Sequence, residues 1–161
     1  MKFTKLHGCG NDYVYIDAWD ERLPDDLPAL ARAISDRHVG VGSDGLIVVG
    51  PPLEGGDARM RMWNSDGSES EMCGNGIRCA AKLAWDHGRL GDNRAPRIET
   101  GLGGVETDRV SMLEQIHLLA ATVGQFARLG EPGRDVGPGE VGIGDGGGDV
   151  EPNGRRLVER R

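Results

Sequence analysis

Beyond Gly130 the chain passes through Gly133, Gly137, Gly139, Gly142, Gly144 and a run from Gly146 to Gly148, with almost no large apolar side chain. Such a stretch cannot recover the entropy lost on ordering by burying apolar surface. Any folded core must therefore be built from what precedes it. Residues 130–161 are expected to form a Gly/Arg-rich disordered tail, ending in Arg155, Arg156, Arg160 and Arg161 as a solvated run rather than a binding patch. Glycine supplies 27 of 161 residues, more than twice the usual ~7%. Before residue 100 these glycines separate apolar segments, where they serve turns and close backbone approaches.

The charge balance narrows the partners. Lys and Arg number 19 against 26 Asp and Glu, a net charge of −7, so the chain repels polyanions and no nucleic-acid partner is expected. No apolar run reaches the ~18–20 residues of a membrane helix, and Met1-Lys2-Phe3-Thr4-Lys5 leads into polar sequence instead of a signal segment. These features predict a cytoplasmic protein without a membrane partner. Cys9, Cys73 and Cys79 are too few for a disulfide framework and show no CxxC or Cys/His zinc spacing, so reduced thiols and no metal site are expected.

Residues 1–103 read as one α+β domain. Phe3 to His7 and Tyr13 to Asp17 are predicted strands joined through the turn-forming Gly8-Cys9-Gly10-Asn11-Asp12. Leu27 to Ser35 is a predicted helix, capped by Asp25 or Asp26, with Pro28 in its first turn and Leu27, Leu30, Ala31 and Ile34 on one stripe. Gly45 to Val49 and Arg59 to Trp63 are further strands, the second with Met60 and Met62 alternating with arginines. Asn75 to His87 is a second helix, stopped by Gly88 and apolar on more than one face, as a helix wrapped by sheet would be. Met112, Ile116, Leu119, Val123 and Phe126 follow helical steps, so residues 104–129 are read as a helical extension.

Glu71-Met72-Cys73-Gly74-Asn75-Gly76 closes a turn and opens that second helix. A thiol at a helix N-terminus faces unpaired N–H groups and the positive end of the macrodipole, an environment that favours thiolate over thiol. The backbone N–H groups of Gly74, Asn75 and Gly76 would suit a carboxylate. One hexapeptide thus offers a proton acceptor and an anion cradle; the competing reading is a small buried cysteine beside a cap. Cys79, almost opposite on the helix, and Cys9, beside a strand, are read as packed, and His7 as a hydrogen-bonded structural residue. Asn11 and Asn64 each lie in a polar turn segment, where an amide either serves a ligand or bonds its own backbone. Arg37-His38-Val39-Gly40-Val41-Gly42-Ser43-Asp44-Gly45 lacks the features of a phosphate loop.

Three segments together resemble the amino-terminal half of diaminopimelate epimerase: Lys5 through Tyr13, Arg37 through Gly45, and Asn64-Ser65-Asp66-Gly67-Ser68-Glu69 continuing through Cys73-Gly74-Asn75-Gly76-Ile77-Arg78-Cys79. The resemblance spans roughly Met1 to Gly103 and implies a mixed or antiparallel sheet around a central helix. It implies an isomerase that interconverts LL- and meso-diaminopimelate on the route to lysine, without pyridoxal phosphate or any other cofactor. One cysteine from each of two similar domains faces the α-carbon in this family. The match gives Cys73 the first catalytic role, Asn11 and Asn64 substrate binding, and Gly74 and Asn75 backbone donation to the substrate carboxylate. Gly45 falls where some members carry a substrate-contacting glutamine.

No cysteine follows Cys79, so the second domain's partner cysteine has no counterpart and the chain reads as truncated, with activity of the isolated polypeptide in question. Competing readings are an inert half-domain, a carboxylate-binding module, or another isomerase of the same fold superfamily, such as a phenazine-biosynthesis-type enzyme. A homodimer is left open.

Overall fold

The computed structural model describes residues 1–107 and 122–125. Its elements run β1 (Lys2–Gly8), β2 (Asn11–Asp17), α1 (Leu27–Ser35), β3 (Gly45–Gly50), β4 (Ala58–Asn64), β5 (Glu69–Ser70), α2 (Gly74–Asp86), β6 (Arg97–Thr100), β7 (Gly103–Glu106) and β8 (Thr122–Gln125). The strands form one mixed sheet in the order β7-β6-β4-β3-β2-β1-β8, with β5 also paired to β4. The α+β class and the mixed sheet agree with the expectation from sequence.

Local chemistry explains the helix bounds. The Asp26 carboxylate accepts the Ala29 N–H at 2.9 Å, and Pro28 costs α1 nothing in its first turn, where N–H groups lack helical partners. Helix α2 stops at Gly88, whose φ of 72° needs no Cβ and lets its N–H reach the Trp85 carbonyl at 2.8 Å.

Two crossovers place the helices. Parallel β2 and β3 are joined through α1, and parallel β4 and β6 through α2. Both steps move the same way across the sheet, yet antiparallel β3 and β4 reverse the strand direction between them. Crossovers of one hand must then lie on opposite faces. They do so here. Leu30 and Ile34 of α1 pack with Val14, Ile16, Leu46, Val48 and Trp63, whereas Ile77, Cys79, Ala80 and Leu83 of α2 pack with Tyr13, Tyr15, Ile47, Met60 and Met62. Because β1 to β4 all pack on α2, that helix is buried on several sides.

Strand β4 is less one-sided than its methionines suggest. Met60 and Met62 face α2, but Trp63 is equally buried on the α1 face, beneath the Arg61 guanidinium at 4.6 Å from its ring centre. Strands β5, β6 and β7 were not anticipated. Glu99 of β6 supports the loop before β4 by accepting the N–H groups of Leu53, Glu54 and Gly56 at 2.6–2.8 Å.

The helical reading across Met112 to Phe126 is corrected where the structure describes it. Thr122–Gln125 is a strand, antiparallel to β1 with Lys2 opposite Gln125 and Lys5 opposite Thr122. The free edge of β1 supplies backbone partners that outweigh local periodicity. The rest of that segment, and the tail expected over residues 130–161, lie outside the described residues. Among the described residues no helix is long and apolar enough to cross a membrane.

Candidate functional site

The end of the sheet where β1 and β4 finish and β2 and β3 begin is also where α2 starts. Gly76 is what allows the helix to come so close there, because a Cβ on it would lie 2.7 Å from Ile47 Cδ1 and 3.3 Å from Cys73 Cβ. Gly8 does the same on β1, where a Cβ would meet the Asn75 carbonyl oxygen at 3.0 Å. Ahead of α2, the Gly101 N–H donates to the Glu71 carbonyl at 3.0 Å and fixes the approach to Cys73 from the β6–β7 turn.

Cys73 takes the N-cap position that serine or threonine usually fills. Its sulfur accepts the Gly76 N–H at 3.3 Å and the Asn11 side-chain amide at 3.6 Å. The Tyr13 phenol is close enough to feel the Cys73 sulfur. Burial first, and then the neighbouring Cys73 sulfur, push that phenol up to about 12. The thiol itself is half-buried, so it is reachable while its polar partners are fixed. The N–H groups of Gly74 and Asn75 find no acceptor among the described residues, as the first helical turn dictates. A Cβ on Gly74 would meet nothing within 4 Å, so this backbone faces open space.

Asn11, Cys73, Gly74 and Asn75 are thus brought together. Asn64 shares that end of the sheet, in register with Gly45, but its amide donates to Ser68 Oγ at 2.9 Å within its own turn. The Asn75 side chain accepts from Arg78 at 3.4 Å. His7 accepts the Gly10 N–H at 3.3 Å, a structural bond. Cys79 is buried among the α2-face residues, and burial first pushes its thiol up.

Cys9 departs from expectation, being exposed and not packed. Pairing of Gly8 with Asn11 leaves Cys9 and Gly10 as a two-residue hairpin loop, and such loops place both residues at positive φ. Cys9 has φ 53° and Gly10 φ 86°, which turns the Cys9 side chain to solvent.

Tyr13 is the residue that sequence reading missed. Strand alternation marks it as core, and its ring is indeed 5% exposed. Tyrosine in place of phenylalanine at a buried position was the available signal, because its hydroxyl needs a partner there.

Asp12, next to Asn11, ties the hairpin to the segment before β3. Its carboxylate pairs with Lys5 at 2.9 Å and Arg37 at 2.7 Å, Arg37 also reaches Asp44 at 2.9 Å, and the Asp12 N–H donates to Asp44 at 3.1 Å. Burial pushes the Asp12 carboxyl up, but hydrogen bonds and charge from Arg37 and Lys5 outweigh it and hold it at about 2 against an ordinary 3.8. With the folded-state value depressed, the stabilisation is whole above pH 3.8 and drains as pH falls toward 2. Allowing for water access, it is worth about 1–2 kcal/mol. Urea unfolding of Asp12→Asn should show that deficit at pH 6 and little of it near pH 2; a deficit independent of pH would refute the ionic account.

The sequence profile of the diaminopimelate epimerase family matches residues 3–113. A curated diaminopimelate epimerase from Agathobacter rectalis is 57% identical over 103 residues, covering 64% of this chain and 35% of the relative. One from Geobacillus thermodenitrificans is 53% identical over 107 residues, covering 66% and 36%. The chain therefore spans little more than a third of either relative's length. The crystal structure of a Bacillus anthracis phenazine biosynthesis protein of the PhzF family superposes with a TM-score of 0.51 at 22% identity, over 67% of this chain and 36% of that one, a likeness of fold.

Proposed function

The chain belongs to the diaminopimelate epimerase family, and from that membership we propose that Cys73 is an acid/base thiol acting on the α-carbon of diaminopimelate. The observation that carries this reading is the convergence of the Gly76 N–H and the Asn11 amide on one half-buried sulfur. A sulfur so surrounded is held where negative charge is tolerated.

An amino-acid α-proton is weakly acidic, so its removal requires that charge developing on the carboxylate be stabilised. The unpaired N–H groups of Gly74 and Asn75 are donors of this kind, on the first and second residues after the thiol and aimed outward from the helix end. In the proposed step the Cys73 thiolate takes the α-proton, the C–H electron pair passes into the carboxylate, and the two N–H groups hold the resulting oxyanion. Asn11 and Asn64 orient the substrate, with the Asn64 amide exchanging Ser68 for a substrate group. No cofactor is invoked, because thiolate basicity and this cradle suffice for proton transfer.

Inversion also needs a proton delivered to the opposite face. Cys9 sits at a solvent-facing hairpin tip and Cys79 is buried in the core, so neither supplies it. The chain is assigned one half of a two-thiol epimerisation from LL- to meso-diaminopimelate, a step of lysine biosynthesis.

The test is incubation of LL-diaminopimelate with the 161-residue chain in D₂O, followed by NMR at the α-position. Wild type is expected to incorporate deuterium at a rate that falls by at least ~10²-fold in Cys73→Ala. Equal incorporation by both proteins would overturn the assignment. Binding of the amino acid with no Cys73-dependent exchange would leave only a carboxylate-binding module.

A further inference from the structure

The segment from Arg37 to Gly45 holds none of the residues assigned to the reaction, yet it runs between the two asparagines that are. Gly45 of β3 lies in register with Tyr13 of β2 on one side and with Asn64 of β4 on the other. A Cβ on Gly45 would fall 2.1 Å from the Trp63 carbonyl oxygen and 2.9 Å from Tyr13 Cε1, so its absence lets both neighbouring strands close in. Asp44, one residue earlier, therefore meets both asparagine-bearing segments at once.

Toward the Asn11 hairpin, Asp44 exchanges two bonds with Asp12. Its N–H donates to the Asp12 carbonyl at 2.7 Å, and its carboxylate accepts the Asp12 N–H at 3.1 Å. Toward the Asn64 turn, its carbonyl accepts the Ser65 N–H at 3.0 Å. Arg37 locks the hairpin side: its guanidinium donates to both Asp12 carboxylate oxygens, at 2.7 and 3.3 Å, and to the Asp44 carboxylate at 2.9 Å. Gly42, at φ 76°, turns the chain back so that Arg37 and Asp44 meet, and a Cβ there would lie 3.1 Å from Arg37 Cα. Lys5 of β1 closes the group by donating to the Gly42 carbonyl and to the Asp12 carboxylate. The Arg37 and Asp44 side chains are half-exposed, so their pairing adds little to the stability of the fold; what it fixes is a distance.

We propose that Asp44 is a positioning residue for substrate: it sets the spacing between the Asn11 hairpin and the Asn64 turn, and Arg37 holds its carboxylate in that role. The inference rests on Asn11 and Asn64 contacting the amino acid and goes beyond it by naming the brace that aligns them. Cys73 keeps its Gly76 donor, and its approach is fixed from Gly101, whatever happens at Asp44. The brace therefore acts on binding more than on proton transfer.

Asp44→Ala in the full chain removes the carboxylate and leaves the backbone bonds available. Hydrogen exchange of the substrate-free protein, read amide by amide by NMR, should show Asp12 and Ser65 exchanging about tenfold faster, with Ile47 and Val48 of β3 moving less than about threefold. Asp44→Asn should restore protection at Asp12, because its amide oxygen still accepts that N–H. In α-deuteration of LL-diaminopimelate in D₂O, the half-saturating concentration for Asp44→Ala should rise about tenfold while the rate at saturation stays within about threefold. A variant that merely folded less would lose rate at saturation and keep its half-saturation. Half-saturation equal to wild type, or unchanged exchange at both Asp12 and Ser65, would overturn the proposal. Should Asp44→Ala fail to fold, Arg37→Ala takes its place, since that exposed side chain bonds only to Asp12 and Asp44 among the described residues. Faster exchange at Ser65 in that variant supports the brace, and exchange as in wild type refutes it. If wild type itself shows no deuteration, the proposed function fails, and exchange at Asp12 and Ser65 alone decides whether Asp44 braces the two segments.

Discussion

Trp63→Ala is expected to lower stability by about 3–5 kcal/mol, the largest effect of any substitution considered for the fold. Trp63 is 1% exposed and fills the space between the sheet and α1, against Leu30, Ile34 and Leu46. Truncation removes a full indole of buried apolar surface and leaves a cavity that α1 can only partly close, because Asp26 and the Asp36 turn fix both its ends. It also removes the face on which the Arg61 guanidinium rests. Against a total stability of ~5–15 kcal/mol, such a loss lowers the melting temperature by roughly 10–25 °C. Thermal unfolding followed by far-UV circular dichroism measures it. The opposite faces of the sheet give a second expectation: below its melting point the variant should alkylate Cys73 at the wild-type rate, since the sulfur and its donors lie on the α2 side. A stability loss under about 1 kcal/mol would mean that Trp63 is not the pillar of this layer.

The same residue marks where sequence reading stops. Helix α1 was legible to the residue because its signals are local: Asp26 before the first turn, Pro28 inside it, and an apolar stripe at helical spacing. The turn at Gly8 to Asp12 and the thiol cap of α2 were legible for the same reason. Trp63 reads as one more apolar strand residue, and only the sheet order reveals that β4 is covered on both faces. Strands β6 and β7 are four residues each, too short for alternation to stand out, and their existence depends on β4 presenting an edge nearly forty residues earlier in the chain. Strand β8 shows the stronger form of that dependence, because the edge of β1 imposes extended backbone on residues whose periodicity favours a helix.

The site divides along the same line. Cys73, Gly74 and Asn75 are adjacent in sequence, so their chemistry was readable as a motif. Asn11 and Tyr13 come 62 and 60 positions before Cys73 and join it only through β2 lying beneath α2. Alternation hid Tyr13 among core residues, and the glycine that makes room for its ring lies on a neighbouring strand. The exposure of Cys9 follows from hairpin register, which fixes a two-residue loop only once Gly8 and Asn11 are paired.

With a single thiol at the site, exchange and inversion of diaminopimelate should separate. In the proposed reaction Cys73 would remove the α-proton from one face, exchange it with D₂O, and return deuterium to that same face. Deuterium then enters with retention of configuration. Inversion requires protonation from the other side, where no second cysteine is available among the described residues, and a general acid is worth ~10²–10⁴-fold. Formation of meso-diaminopimelate should therefore lag α-deuteration of the LL form by at least ~10²-fold. In a two-thiol site each event of proton removal has a donor waiting opposite, so the two rates would be comparable. Symmetry does not readily supply the missing group, because a homodimer would have to set two identical α2 N-termini face to face across one substrate, with both Gly74 and Asn75 cradles competing for its carboxylate. Deuteration by NMR and stereochemical outcome by chiral chromatography on the same samples give the ratio. Deuteration and inversion at matched rates, both lost in Cys73→Ala, would show that a second acid/base group already faces Cys73 in this chain.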